Sequence, residues 1–178
     1  MVASYYYYAS TLPLLRFDGT PPFSTATFMA TAKGQVSGRD YHLLETALAN
    51  RTSSHPFIRA WQHHRACLEG ELASQRSKRK GYKSELYPHS GDTEQLITET
   101  VRQALLLDDP LKAELLLLEL SWKQLDEQVG LDVFNIEALL GFALKLQLLE
   151  RKSRFDRVSG NSEFERMFTN LQIEIAKL

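Results

Sequence analysis

Five histidines and one cysteine are the side chains of this sequence best suited to metal or nucleophilic chemistry: His42, His55, His63, His64, His89 and Cys67. Their spacing works against both. His63 and His64 are adjacent, so on a helix they point about 100° apart and cannot share an ion. Cys67 is the sole cysteine, which excludes an internal disulfide and any Cys-based zinc site, and suits a reducing compartment. No HExxH, P-loop, glycine-rich phosphate turn or serine elbow is present. The acidic residues are spread along helix surfaces as partners for Lys and Arg. The expectation is a non-catalytic protein with no cofactor and no metal.

Two other features could carry binding. The basic run Arg76, Lys78, Arg79, Lys80 and Lys83 is the sharpest concentration of charge. It reads either as a patch for phosphate or an acidic partner, or as a helix end whose cations complement the macrodipole. The formal net charge of −1 offers no global field to gather nucleic acid. The second feature is Tyr5, Tyr6, Tyr7 and Tyr8 in succession. Helical or extended, four consecutive rings cannot all face one core. Part of the set must meet solvent or a partner, and tyrosine is enriched at interfaces. Two readings follow: a partner-binding segment or a lid packed on the helices. Arg16 and Asp18 flank Phe17 and can pair with each other or with helix ends, fixing the path of this segment. Leu12, Leu14 and Phe17 are expected to anchor it.

The elements that position these residues read almost entirely as helices. Ser37 and Asp40 frame a capping box for a helix through Ala49. Ser54 as cap and Pro56 in the first turn open a longer one, with Phe57, Trp61, His64, Leu68 and Leu72 on one face. Asp92 is expected to cap a third, with Leu96 or Ile97, Val101 and Leu105 inward. Asp109-Pro110 starts a fourth, where Leu111, Leu115, Leu118, Trp122, Leu125 and Val129 form an a/d stripe. Leu116, Leu117 and Leu120 widen the stripe, so this helix must be covered on more than one side. Gly130 stops it. A further helix runs from Asn135 to Lys152, and a last one carries Phe164, Met167 or Phe168, Leu171, Ile175 and Leu178 inward. The predicted fold is all-α, with seven or eight helices and a core pair at Pro110–Gln128 and Asn135–Lys152 packed antiparallel. We expect a single helical unit with an N-terminal lobe (1–81), a linker (82–92) and a leucine-rich C-terminal lobe (93–178). The longest purely apolar run, Leu115–Leu118, falls far short of the roughly 20 residues that span a bilayer, and the start of the chain lacks a signal-peptide pattern.

The stretches YYYYASTLPLLRFDGTPPFS (5–24) and LDVFNIEALLGFALKLQLLER (131–151) resemble a small bacterial family of unassigned activity encoded among the genes of V-type (A/V-type) ATP synthases. A weaker resemblance is to the C/d component of these machines, the helical socket between rotor shaft and membrane ring. Its recurring Asp-x-x-Asn motif, followed by an apolar residue and a leucine pair, is matched by Asp132, Asn135, Ile136, Leu139 and Leu140. Gly141 stands where that pattern has an Arg. In this motif Asp132 is expected to cap the helix while Asn135 ties the incoming loop. The resemblance implies a non-catalytic subunit or assembly protein, cytoplasmic and peripheral to the inner membrane through the ATPase complex. Its partners would be the other V-type ATPase subunits, rotor shaft and membrane ring, with no membrane span of its own. The alternative is a free-standing helical adaptor binding nucleic acid or an acidic protein through residues 76–83.

Overall fold

Leucine periodicity and helix punctuation produce an all-α protein. The computed structural model describes residues 5–81, 95–155, 165–170 and 172. Its helices are α1 (Tyr6–Thr11), α2 (Thr25–Ala32), α3 (Gly38–Leu48), α4 (Pro56–Arg79), α5 (Gln95–Leu106), α6 (Pro110–Val129) and α7 (Ile136–Ser153). Residues 165–170 are also helical, and no strand occurs among the described residues. The whole linker expected at 82–92, with Lys83 and Asp92, lies outside them, as do Phe164, Leu171, Ile175 and Leu178.

Local chemistry accounts for the helix starts. The Ser37 hydroxyl accepts from the Asp40 amide at 3.1 Å, and the Asp109 carboxylate accepts from the Leu111 and Lys112 amides ahead of Pro110. Two starts differ from the expected ones. His55, not Ser54, is the N-cap of α4, and it makes no side-chain cap bond; Pro56 at the first position has no N–H to satisfy, so the cap is less needed. At α7 the two motif residues exchange roles. Asn135 is the cap, its side chain accepting from the Ala138 amide at 2.8 Å, while Asp132 accepts from Phe134 at 3.2 Å and shapes the turn. An Asx side chain reaches two or three residues ahead, and only Asn135 is within that reach of the first helical turn.

Helices α6 and α7 pack antiparallel: Asp126 pairs with Lys145 and, farther back along α6, Glu114 pairs with Arg151, farther on along α7. Gly130 turns the chain between them at φ 62°, a region that favours glycine. As the widened stripe requires, α6 is covered on several sides, with Leu117, Leu118, Leu120, Trp122 and Leu125 all buried. Leu111 is exposed instead of inward, at the open first turn of the helix. On α4, Leu68 and Leu72 are half-buried, and the fully covered line continues through Cys67, Glu71, Ser74 and Ser77. Met167 and Phe168 are each more than half exposed, contrary to the inward placement their spacing implies.

Two apolar cores result. One gathers the Tyr5–Tyr8 segment, α2, α3, the start of α4, the end of α6 and most of α7; the other joins the middle of α4 to α5 and the first half of α6. Helix α7 also completes its neighbours' ends. Glu150 accepts from the Thr25 amide at 2.7 Å and its hydroxyl at 2.9 Å, placing a carboxylate at the α2 N-terminus. The Gln147 amide donates to the Leu48 carbonyl at 3.1 Å, at the α3 C-terminus.

At Gly141 the approach of α6 leaves no room for a side chain on α7. A Cβ built there would lie 2.2 Å from Val129 Cγ2. Val129 is β-branched and has little rotamer freedom with which to move aside. Gly141→Ala is expected to lower stability by about 1–3 kcal/mol, since the overlap outweighs the helix-propensity gain of about 1 kcal/mol. Chemical denaturation measures it; a more stable variant would overturn this account of the helix contact. The Arg of the C/d pattern cannot occupy this position without parting the two helices.

Candidate functional site

The four tyrosines divide two and two. Tyr5 and Tyr8 are buried, whereas Tyr6 is 54% and Tyr7 84% exposed. Helical geometry explains the division, since three residues take the chain most of the way round a turn and return Tyr8 to the face of Tyr5. The inner pair is hydrogen-bonded. The Tyr5 hydroxyl donates to the Asp40 carboxylate and accepts from the Ser37 amide at 3.3 Å, and its backbone N–H donates to the Phe134 carbonyl at 2.7 Å. The Tyr8 hydroxyl lies 3.2 Å from the Phe28 carbonyl and 3.0 Å from Thr31 Oγ1, and its ring stacks on Phe28. Burial pushes the Tyr8 hydroxyl above its ordinary pKa, keeping it a proton donor.

After α1 the chain forms a strap across α6 and α7. Phe17 packs edge-on against Trp122 with centroids 5.7 Å apart. Lys152 also holds it: its ammonium sits over the Phe17 ring and donates to the Phe17 and Gly19 carbonyls. Arg16 and Asp18 pair with each other through contacts of 3.1 and 3.0 Å. The Arg16 guanidinium holds the Asp18 carboxyl below the usual carboxylate range. Both side chains are largely exposed, so the pair braces the turn without fixing it to the helices. Leu14 departs from its expected anchoring role, being 88% exposed. It is the residue where the strap turns its apolar side outward.

Tyr6 and Leu14 both reach the segment that joins α6 to α7, at Phe134 and beside Val133. Tyr6 packs on Phe134 at 4.7 Å and Tyr7 stands edge-on to Tyr6 at 5.7 Å. Beside them, an open groove of about 300 Å³ runs between the strap and the α6–α7 turn, lined by Leu12, Leu14, Val129, Val133 and Phe142, with Lys145 its one charged wall. Leu131 at the turn is fully exposed. This apolar surface, on a hydrogen-bonded support, is the candidate interaction site.

Residues 96–175 match a family described as Protein of unknown function (DUF2764). The match begins in α5 and takes in α6 and α7, so it contains the turn and the groove's α7 wall but not the tyrosine segment or strap. No curated protein and no solved structure matches the chain.

The other sequence candidates fall elsewhere. Arg76, Lys78, Arg79 and Lys80 are exposed at the C-terminal end of α4, where cations favour the helix dipole. Among the described residues no cluster of His, Cys, Asp and Glu could hold a metal, and no helix is long and apolar enough to cross a membrane. His64 is buried against Trp61, ring centroids 5.8 Å apart, with Nε2 3.4 Å from the Ser121 hydroxyl.

Burial, and then the neighbouring His63, push the His64 imidazole below its ordinary pKa. The unfolded chain binds that proton near pH 6.5 and the folded chain only at lower pH. This residue's contribution is therefore complete above about pH 6.5 and declines as pH falls below it. The melting temperature of the wild type relative to His64→Gln is expected to fall between pH 8 and pH 5. A difference that stays constant or grows would contradict a neutral buried imidazole.

Proposed function

We propose that the protein is a non-catalytic subunit or assembly protein of a V-type ATP synthase, acting as a central-stalk adaptor between rotor shaft and membrane ring. The resemblance of residues 5–24 and 131–151 supplies the machine. The observation that carries the adaptor role is the division of the tyrosines: Tyr5 and Tyr8 hydrogen-bonded into the core, Tyr6 and Tyr7 presented outward beside an open apolar groove. An adaptor needs contact area that is ordered before binding, so that little entropy is lost when the partner arrives. Rigid aromatic rings on an anchored segment supply it.

Affinity capture of the full-length chain from native membranes, read by mass spectrometry, is expected to recover ATPase subunits. Tyr7→Ala is expected to reduce that recovery by about tenfold, as for a central interface aromatic. Capture without any ATPase subunit would overturn the reading. The alternative, an adaptor for nucleic acid or an acidic protein, draws support from the four exposed cations ending α4. Binding that weakens steeply with salt and is lost on neutralising them would favour it.

A further inference from the structure

The outward face has a definite charge as well as an apolar groove. Residues 5–15, which supply α1 and the first part of the strap, contain no charged side chain. Residues 126–145, which supply the turn and the opposite wall, carry four carboxylates (Asp126, Glu127, Asp132 and Glu137) against one ammonium, Lys145. That ammonium is bonded to Asp126, which leaves Glu127 near the end of α6, Asp132 in the turn and Glu137 in the first turn of α7 as a net negative charge on the segment that joins the two helices. Glu127 and Asp132 are exposed, and Glu137 is half-buried. The flanking cations have other partners: Lys123 pairs with Glu119, Arg151 with Glu114, Arg16 with Asp18, and Lys152 bonds the Phe17 and Gly19 carbonyls.

We propose that this face receives a basic amphipathic segment of a partner protein. Its aliphatic side chains sit in the groove between Leu14 and Val133, and its Lys or Arg side chains lie against Glu127 and Asp132. This rests on the adaptor reading above and gives the partner its chemistry. Charge complementarity selects the occupant. A second copy docked face to face would oppose one acidic segment to another, and an anionic lipid surface would be repelled. A basic helix satisfies both the groove and the acidic segment, and the groove's volume suits a row of a few aliphatic side chains.

The test uses the purified full-length chain and two synthetic helical peptides with identical leucine positions, one with lysine at every polar position and one with glutamate. Fluorescence anisotropy is expected to show binding of the lysine peptide and at least about tenfold weaker binding of the glutamate peptide. Leu14→Ser is expected to weaken the lysine peptide by about tenfold. The double variant Glu127→Gln/Asp132→Asn, which keeps the Asp132 acceptor for the Phe134 amide, is expected to weaken it several-fold and to flatten its salt dependence. Equal binding of both peptides, or lysine-peptide binding indifferent to Leu14→Ser and to the double variant, would overturn the proposal. So would Leu14-dependent self-association, or Leu14-dependent binding to phosphatidylglycerol vesicles. The adaptor reading fails separately. If ATPase subunits are captured equally by wild type and the double variant, this proposal falls and the adaptor stands. If the peptide binds as expected but no ATPase subunit is captured, the reverse holds.

Discussion

Trp122→Ala is expected to lower the stability of the protein by about 3–5 kcal/mol, among the largest effects of any single substitution. The indole is only 7% exposed, where α6, α7 and the strap meet. Its loss removes the ring against which Phe17 packs and the face over which the Lys145 ammonium sits at 5.3 Å. The resulting space would be bordered by Phe17 and Lys145, and neither fills it well. Phe17 is held by Lys152, and Lys145 is committed to Asp126. Poor collapse places the cost toward the upper part of the range. Urea denaturation followed by circular dichroism measures it. A loss below about 1 kcal/mol would mean that the strap is not seated on this residue.

Tyr8→Ala is expected to cost a similar amount, about 3–5 kcal/mol, while Tyr7→Ala stays within about 0.5 kcal/mol of wild type. The neighbours are chemically identical, and the whole difference is burial. For Tyr8 most of the loss is packing, because the Thr31 hydroxyl also donates to the Phe28 carbonyl at 2.8 Å and would keep it satisfied. Tyr8→Phe should therefore cost only about 1 kcal/mol, a single buried hydrogen bond. Melting curves of the three variants decide the matter. Equal losses at Tyr7 and Tyr8 would contradict the two-in, two-out arrangement and leave no free aromatic surface for a partner.

The sequence by itself determined the all-α class, the main helices α3 to α7, and the pairing of α6 with α7. These follow from signals that act over one or two turns: leucines at steps of three and four, Asp109-Pro110, the Ser37 cap and Gly130. It also determined that the four tyrosines could not share one environment, because side-chain direction along a helix or strand is fixed by backbone geometry. Which two go inward was decided by the tertiary structure alone, since it depends on where Asp40, Phe28 and Thr31 stand, 20 to 35 positions away in the chain. The exchange of roles between Asp132 and Asn135 came from the helix beginning beyond the reach of Asp132. Leu14 resembles Leu12 in the sequence, yet Leu12 packs on the core and Leu14 faces out. The clash built in at Gly141 was equally invisible, because a glycine inside a helix shows what it lacks but not which neighbour requires the space. Apart from that local exchange, packing between distant segments made these choices, and a one-dimensional pattern does not encode which distant segment arrives.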